Sequence, residues 1–380
     1  MNTFSIKTKI ILEKPDFTAL TGRLERVFIV TDKFMAESGK TDYITKQLEA
    51  ENIAYKIFSQ ITPDPDIDII TKGIEIISSF PPDLIIALGG GSAIDAAKAI
   101  TYFAKKTSGL SKCTFIAIPT TSGTGSEVTR FAVISDNEKK IKYPMVDQNL
   151  LPDYAVLDPT LTLSVPPSVT ADTGIDVITH AIEAYLSTEA DDFSDALAEK
   201  AFQLAFLWLV KAVKTPNDTE ARKAMHHASC LAGMAFDNAS LGLNHSMAHI
   251  LGARTKLPHG RANGILLPYV TAFNAGISDN SINPKIISRY AALAHIAGLG
   301  ATTNRQSTVN LIKGINKLLG EINMPKTLAE AGVEKASFIK QLDEISLIAL
   351  EDRCTKTNPR PCTAMQIKEI FLTAYGEEKI

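Results

Sequence analysis

Acidic and imidazole side chains recur at helical spacing in two stretches of this 380-residue chain. His245 and His249 are four residues apart, and His259 follows ten residues later, in a loop or at a helix start. Further upstream, Asp176 and His180 have the same spacing of four. Residues four apart share one face of a helix, so each pair could place two ligand atoms side by side. One carboxylate with several imidazoles suits Fe, Zn, Co or Ni better than Ca or Mg, so the pattern predicts a transition-metal site.

The alternative for any one of these histidines is an ordinary core or surface residue. Two pairs at the same spacing with a third histidine nearby favour the metal site over that alternative. Spacing alone does not decide whether His245 or His249 is the ligand, because both lie on one helix face.

The elements before about residue 165 alternate between short apolar runs and helical patterns. An opening strand is predicted from the alternation of Phe4, Ile6 and Ile10. Further buried strands are predicted at 27–32, 54–61, 83–91, 114–121 and 154–159, and a helix at 67–80. Alternation of this kind predicts an α/β domain over residues 1–165, with a mostly parallel sheet and helices on both faces.

The chain beyond about residue 165 shows long helical patterns and almost no strand signal. The clearest are at 195–213, 220–240 and 285–299. We therefore predict an all-helical domain over residues 166–380, which would carry the candidate metal ligands.

Two loops rich in glycine and hydroxyl groups follow predicted strands of the first domain. Gly90, Gly91 and Ser92 stand between a strand and a helix, and Thr120 and Thr121 open a second loop. Glycines let the backbone approach a diphosphate, and a helix start offers free N–H groups. A tight turn is the alternative for the glycines alone. Two such loops at strand ends of one parallel sheet instead predict a dinucleotide-binding domain.

Asp32 ends an early strand and could read the ribose of a cofactor. An acid at this point can accept hydrogen bonds from the ribose hydroxyls of NAD, and it would repel the 2′-phosphate of NADP. Its alternative role is a helix N-cap or a solvated turn. Lys142 could hydrogen-bond a ribose or phosphate, but a single lysine is usually a surface residue.

Composition excludes several classes of partner. The chain has 39 Lys and Arg against 42 Asp and Glu, a net charge of −3, which predicts no nucleic-acid or anionic-membrane binding. No apolar run approaches the roughly 20 residues that span a bilayer, and no signal peptide is expected. The four cysteines lack CxxC spacing and are expected to be reduced thiols of a cytoplasmic protein.

Four motifs together resemble the iron-containing (group III) alcohol dehydrogenases over nearly the whole chain. They are GGGSAIDAAKAI, PTTSGTGSEVT, ADTGIDVITHAIEAYLS and NHSMAHILG with LPHGRANGILLP, in this order. The resemblance implies a dehydroquinate synthase-like fold with a helical second domain. It also implies NAD- and metal-dependent hydride transfer between small aldehydes and primary alcohols, with Fe²⁺ as the metal and Zn²⁺ as a possible substitute.

The resemblance assigns roles to individual positions. The implied metal ligands are Asp176, His180, His245 and His259, and His249 is left as a catalytic proton-relay residue. The implied cofactor contacts are Asp32, Gly90, Gly91, Ser92, Thr120, Thr121, Thr129 and Lys142. Phe236 and Cys362 match positions that line the substrate pocket, although both could be plain core residues.

Within the family, further stretches are most similar to the branch that serves propanediol utilisation in bacterial microcompartments. This similarity implies reduction of propionaldehyde to 1-propanol, assembly as a homodimer or larger, and contact with microcompartment shell or enzyme partners. The rival is a dehydroquinate synthase-like lyase or an enzyme of glycerol or glycerol phosphate. Such substrates would need cations near the ligands, where Arg254, Lys256 and Arg261 stand.

Overall fold

The computed structural model describes residues 3–107, 109–110, 113–136 and 141–376. They form two compact units. The first is Ser5–Leu163, and the second begins at Ser164 and also includes Phe4.

The first unit is built on a six-stranded sheet whose strands all run parallel, in the order β1-β8-β5-β4-β2-β3. Two further strands, β6 and β7, form a separate antiparallel hairpin. The strands are β1 Lys9–Ile11, β2 Arg26–Asp32, β3 Ala54–Ile61, β4 Leu84–Gly89, β5 Thr114–Pro119, β6 Phe131–Asp136, β7 Ile141–Val146 and β8 Tyr154–Val156. The helices are α1 Phe17–Thr21, α2 Lys33–Glu37, α3 Asp42–Ala50, α4 Ile67–Ser79 and α5 Gly91–Thr107.

Both faces of this sheet are buried, which explains its unbroken apolar strands. Along β2, Phe28 packs into a cluster that contains Ile100 of α5, on one face of the sheet. The next residue, Ile29, packs into a second cluster with Ile44 of α3, on the opposite face. The prediction of a mostly parallel sheet covered on both sides is therefore confirmed.

Two details of the predicted strands were wrong. The opening strand contains only Lys9–Ile11, and the ring of Phe4 instead stacks on Phe193 of the helical unit at 5.3 Å. The β6–β7 hairpin was not predicted at all. Its strands pair with each other, and Ser135 of β6 also forms a single parallel bridge to Asp66. Pro144 interrupts the apolar pattern of β7.

The second unit is helical throughout its described residues. Its helices are α6 Pro167–Leu186, α7 Asp192–Lys214, α8 Thr219–Ala239, α9 Leu243–Thr255, α10 His259–Asn274, α11 Pro284–Ile296, α12 Asn304–Glu321, α13 Lys335–Glu351 and α14 Ala364–Tyr375. Gly174 lets α6 approach α7 closely, because a Cβ there would lie 2.2 Å from Leu209 Cδ1. Among the described residues, no helix combines the length and apolarity that crossing a membrane requires.

Candidate metal centre and glycine loops

Three helices of the second unit bring the candidate ligands together. Asp176 and His180 lie one turn apart on α6, His245 lies in the first turn of α9, and His259 is the first residue of α10. The start of α10 packs directly on the backbone of α6. A Cβ on Gly260 would lie 1.9 Å from the carbonyl oxygen of Asp172, so glycine is required at this contact.

The ligand atoms converge on the carboxylate of Asp176. His180 Nε2 lies 3.9 Å from Asp176 Oδ2. His245 Nε2 and His259 Nε2 lie 3.6 Å and 3.7 Å from Asp176 Oδ1. A tetrahedral ion about 2.1 Å from each ligand separates neighbouring ligand atoms by roughly 3.4 Å. The three histidines therefore lie nearly at ligand spacing from Asp176, and the ligand atoms of Asp176, His180 and His245 also lie within 4.8 Å of one another.

The burial of these groups supports the same interpretation. The side chains of Asp176, His180 and His245 are at most 6% exposed, whereas that of His259 is 44% exposed. His245 Nε2 is buried and makes no hydrogen bond among the described residues. A buried polar atom normally has a partner, so this nitrogen fits a metal ligand. The exposed side at His259 is where a small molecule could reach the cluster.

Electrostatic coupling within the cluster is strong. Burial alone would raise the pKa of Asp176, but His180, His259 and His245 outweigh it and hold the pKa well below its usual value. Burial would lower the pKa of His245, but Glu183 and Asp176 raise it to about 9. Anionic oxygens therefore surround the imidazoles, as a site for a divalent cation requires.

Sequence reasoning missed three residues that support the cluster. Asn263 Nδ2 donates to Asp176 Oδ1 at 2.7 Å and lies 3.1 Å from His259 Nε2. Glu183 Oε2 lies 2.5 Å from His245 Nδ1. The third, Asp352, is described with His249 below. Spacing held a signal for two of them, because Glu183 follows His180 by three residues and Asn263 follows His259 by four, each on a shared helix face.

His249 lies beside the cluster and not within it. Its ring stacks on that of His259, with centroids 5.5 Å apart, and its side chain is 43% exposed. Its Nδ1 lies 3.0 Å from Asp352 Oδ2. Asp352 is held in place because its other oxygen accepts from Cys354 N at 2.8 Å. This arrangement orients the imidazole and leaves Nε2 as its second proton-exchanging atom.

The two residues expected at the substrate pocket lie in different surroundings. Phe236 is buried, and its ring centroid lies 4.6 Å from that of His180. Cys362 is half-buried against the core formed by α9, α10, α13 and α14. Burial raises the pKa of its thiol to about 11, so the thiol is protonated near neutral pH.

The two glycine loops of the first unit pack against each other. Gly90 and Gly91 follow β4, with Gly91 opening α5 and Ser92 next to it. A Cβ on Gly90 would lie 3.3 Å from Thr121 Oγ1, and Thr120 N donates to Gly89 O at 3.0 Å. The start of α5, where the first N–H groups have no acceptor within the helix, thus lies near the hydroxyl of Thr121, an arrangement suited to a phosphate.

Three residues expected to contact the cofactor lie outside the two loops: Asp32, Thr129 and Lys142. Asp32 caps α2, with Oδ1 accepting from Met35 N at 2.9 Å, while Oδ2 faces the position where Gly89 has no side chain. Thr129 is buried, and its hydroxyl accepts from Lys98 Nζ at 3.2 Å. A cofactor contact through that hydroxyl would have to compete with this bond. Lys142 lies in β7, and its side chain is outside the described part of the chain.

Two family models match most of the chain. Residues 8–159 match "Iron-containing alcohol dehydrogenase", and residues 170–375 match "Fe-containing alcohol dehydrogenase family, C-terminal".

Individual relatives are similar over nearly their full length. The 1-propanol dehydrogenase PduQ of Salmonella typhimurium is 44% identical over 374 residues, covering 98% of this chain and 99% of the relative. The NADPH-dependent butanol dehydrogenase of Clostridium saccharobutylicum is 42% identical, covering 90% of this chain and 89% of the relative. The structure of a sulfoacetaldehyde reductase from Bifidobacterium kashiwanohense, in complex with NAD⁺, matches with a TM-score of 0.86 and 27% identity over 100% of both chains.

Proposed function

The chain belongs to the iron-containing alcohol dehydrogenase family, and from this premise we propose that it uses NADH to reduce small aldehydes to primary alcohols. Propionaldehyde is the proposed substrate and 1-propanol the product, because a relative named 1-propanol dehydrogenase is 44% identical to this chain. The observation that carries the proposal is the buried cluster of Asp176, His180 and His245, whose ligand atoms all lie within 4.8 Å of one another.

Asp176, His180, His245 and His259 are proposed to hold the metal. Ferrous iron is the proposed ion, and zinc would bind the same donors at least as tightly by the affinity order of divalent metals. A divalent ion held there would act as a Lewis acid on the carbonyl, and the nicotinamide would supply the hydride. The low exposure of the ligands on α6 and α9 keeps water from their side of the site.

His249 is proposed to deliver the proton that the reduced carbonyl oxygen needs. Asp352 holds the Nδ1 edge of its ring, so Nε2 is the atom that would exchange the proton. The exposed position of the ring allows solvent to restore that proton after each turnover.

Replacing His249 with alanine is expected to lower kcat about 100-fold, as loss of general acid–base catalysis does. Metal content should stay at the wild-type value, because His249 is not one of the four proposed ligands and its Nδ1 lies 3.0 Å from Asp352 Oδ2. Steady-state kinetics and elemental analysis of the same preparation measure both quantities. Loss of the metal in this variant would instead make His249 a ligand.

Gly90, Gly91 and Ser92 are proposed to hold the diphosphate of NAD at the start of α5. Thr120, Thr121, Thr129 and Lys142 are proposed to contact the remaining parts of the cofactor. Asp32 is proposed to accept hydrogen bonds from the ribose through Oδ2, because Oδ1 already caps α2. One carboxylate can serve both purposes, so the N-cap role does not exclude the ribose role.

Replacing Asp32 with glycine is expected to raise the ratio of kcat/KM for NADPH to that for NADH at least about tenfold, equivalent to roughly 1.4 kcal/mol of removed repulsion. Glycine is tolerated at an N-cap at a cost of a few tenths of a kcal/mol, so the fold should persist. Asp16→Gly is the matched control, because Asp16 caps α1 in the same way, through Ala19 N. An unchanged cofactor ratio in Asp32→Gly would show that Asp32 does not read the ribose.

The rival function on a phosphorylated substrate is not favoured by the two arginines near the ligands. Arg261 forms a two-pronged pair with Asp172, through bonds of 3.0 Å each. Arg254 pairs with Glu344. Both guanidinium groups are therefore already engaged by carboxylates, and neither is set to clamp a phosphate.

The experiment that tests the function is an aldehyde-reduction panel on anaerobically purified protein of known metal content. Propionaldehyde, butyraldehyde and a phosphorylated ketone are each supplied with NADH and with NADPH, after loading with Fe²⁺ or Zn²⁺. The proposal expects metal-dependent NADH oxidation with propionaldehyde and none with the phosphorylated ketone. Turnover of the phosphorylated ketone, or full activity without metal, would contradict it.

The cellular location and the oligomeric state of the protein are also proposed. We propose a cytoplasmic enzyme of two or more copies, associated with a bacterial microcompartment for propanediol utilisation. Light scattering after gel filtration tests the assembly, and co-purification with microcompartment shells tests the location. A monomer, or complete absence from shell preparations, would contradict the corresponding part.

A further inference from the structure

Helix α9, which carries His245, begins after a glycine and has no N-cap side chain of its own. Side chains from elsewhere accept from its first N–H groups. Asn358 Oδ1 accepts from Leu243 N at 3.1 Å, and Glu183 Oε1 accepts from Asn244 N at 2.6 Å. His245 N donates to Glu183 Oε2 at 3.3 Å. A carboxylate on α6 therefore caps the start of α9, where the helix dipole favours negative charge.

The same carboxylate also reaches the imidazole of His245. Glu183 Oε2 lies 2.5 Å from Nδ1, while Nε2 on the other side of the ring lies 3.6 Å from Asp176 Oδ1. The side chains of Glu183 and His245 are only 6% and 1% exposed. A carboxylate without a proton can only accept, so Nδ1 carries a hydrogen and Nε2 is the nitrogen left to serve the site shared with Asp176.

Space for this carboxylate depends on Gly242. A Cβ at that position would lie 2.7 Å from Glu183 Oε1 and 3.1 Å from Asn358 Oδ1. The carboxylate thus packs against bare backbone and receives three N–H groups, two from the main chain and one from the ring. Three donors on one buried carboxylate satisfy its hydrogen-bonding capacity and compensate its charge.

We propose that Glu183 is a positioning residue of the metal centre. It fixes the tautomer and the direction of His245, so that Nε2 points at the site shared with Asp176. The inference rests on the proposed function, because it requires that a metal binds there. Glu183 itself would not touch the ion, the substrate or the cofactor.

Replacing Glu183 with glutamine keeps the volume but removes one acceptor. An amide has a single acceptor oxygen, so it cannot accept from both backbone N–H groups and from Nδ1. With its oxygen on the backbone groups, its NH₂ group would donate to Nδ1 and move the ring proton to Nε2. We expect Fe²⁺ and Zn²⁺ affinity to fall about 10- to 100-fold. Competition of the metal-free protein with a chelator under anaerobic conditions measures this affinity.

Two control variants separate positioning from general destabilisation. Glu127→Gln makes the same change at another buried carboxylate, in the first unit, and should leave metal affinity near the wild-type value. Asn358→Ala removes the other cap of α9 without touching the imidazole, so it should lower the melting temperature more than the metal affinity. A loss of affinity in Asn358→Ala equal to that in Glu183→Gln would assign the effect to helix capping and overturn the proposal.

A measurement on the wild-type protein keeps the test independent of how the variants fold. In the zinc-loaded protein labelled with ¹⁵N-histidine, the spectrum should show His245 protonated at Nδ1 and metal-bound at Nε2. The signal is assigned by its absence in His245→Gln. Metal bound through Nδ1, or no proton on that nitrogen, would overturn the proposal directly.

Metal binding by the wild-type protein distinguishes failure of the positioning role from failure of the proposed function. If the wild-type protein binds no divalent metal, the metal site and the proposed function fail together. If the wild-type protein binds metal and Glu183→Gln binds it equally well, only the positioning role of Glu183 fails.

Discussion

Replacing His259 with alanine is expected to remove most of the bound metal and to lower kcat at least about 1000-fold, because the Lewis acid contributes several kcal/mol. His259 supplies one of the four ligands, with Nε2 3.7 Å from Asp176 Oδ1. It is the first residue of α10 and 44% exposed, so its removal leaves no cavity in the core. The fold should therefore survive the substitution. Elemental analysis of anaerobically purified protein, with kinetics and thermal unfolding, measures all three outcomes.

His295→Ala is the matched control for this variant. His295 is an exposed histidine in the last turn of α11, outside the ligand cluster, and its removal should change neither metal content nor kcat. Full activity of His259→Ala with an empty site would remove the metal from the mechanism. Full metal content with normal activity would remove only His259 from the ligand set.

Replacing Gly260 with alanine is expected to destabilise the helical unit by several kcal/mol, beyond the ~1–3 kcal/mol of ordinary overpacking. The added Cβ would lie 1.9 Å from the carbonyl oxygen of Asp172 and 2.6 Å from its carbonyl carbon. Both are backbone atoms of α6 and cannot move aside as a flexible side chain would. The start of α10 would have to shift, and His259 would shift with it. Urea unfolding measures the stability, and chelator competition measures the metal affinity of the fraction that folds.

Gly320→Ala provides the comparison in another helix of the same unit. The nearest atom to a Cβ there is Lys326 Nζ at 3.5 Å, at the end of a flexible side chain. Alanine in an open helical position should leave the protein unchanged or more stable by about 0.5–1 kcal/mol. If Gly260→Ala kept the wild-type stability and metal affinity, the close approach of α10 to α6 would not be needed for either property.

The close contact between α10 and α6 could not be predicted from local sequence patterns. Periodicity in the chain predicts α6, the strand and the helix on either side of the glycine turn, and the mostly parallel sheet, because period and composition are local properties. It cannot report that Gly260 and Asp172, far apart in sequence, pack so closely that a Cβ on Gly260 would lie 1.9 Å from the carbonyl oxygen of Asp172. That contact exists only after the two helices pack.

The carboxylates that support the cluster have partners that only the tertiary structure identifies. Glu183 shares a helix face with Asp176 and His180, but its partner is the ring of His245, some 60 residues away on another helix. Asp352 caps a 3₁₀ helix, Arg353–Thr357, that no ligand motif marks, and it contacts His249, 103 residues away. Such carboxylates are identified by what they touch, and residue type with spacing does not contain that information.

From the sequence alone come the fold class, the glycine turns and two helical pairs with ligand chemistry, because each depends on neighbours within one or two turns of chain. Spacing did not choose between His245 and His249, since both lie on one face of α9. The resemblance to the family assigned His245 as the ligand, and the tertiary structure gives the physical difference between the two residues. Packing buries His245 between Asp176 and Glu183 and leaves His249 exposed beside Asp352. Burial and long-range charge, which arise only when α6, α9 and α10 pack together, therefore place two identical side chains in different surroundings.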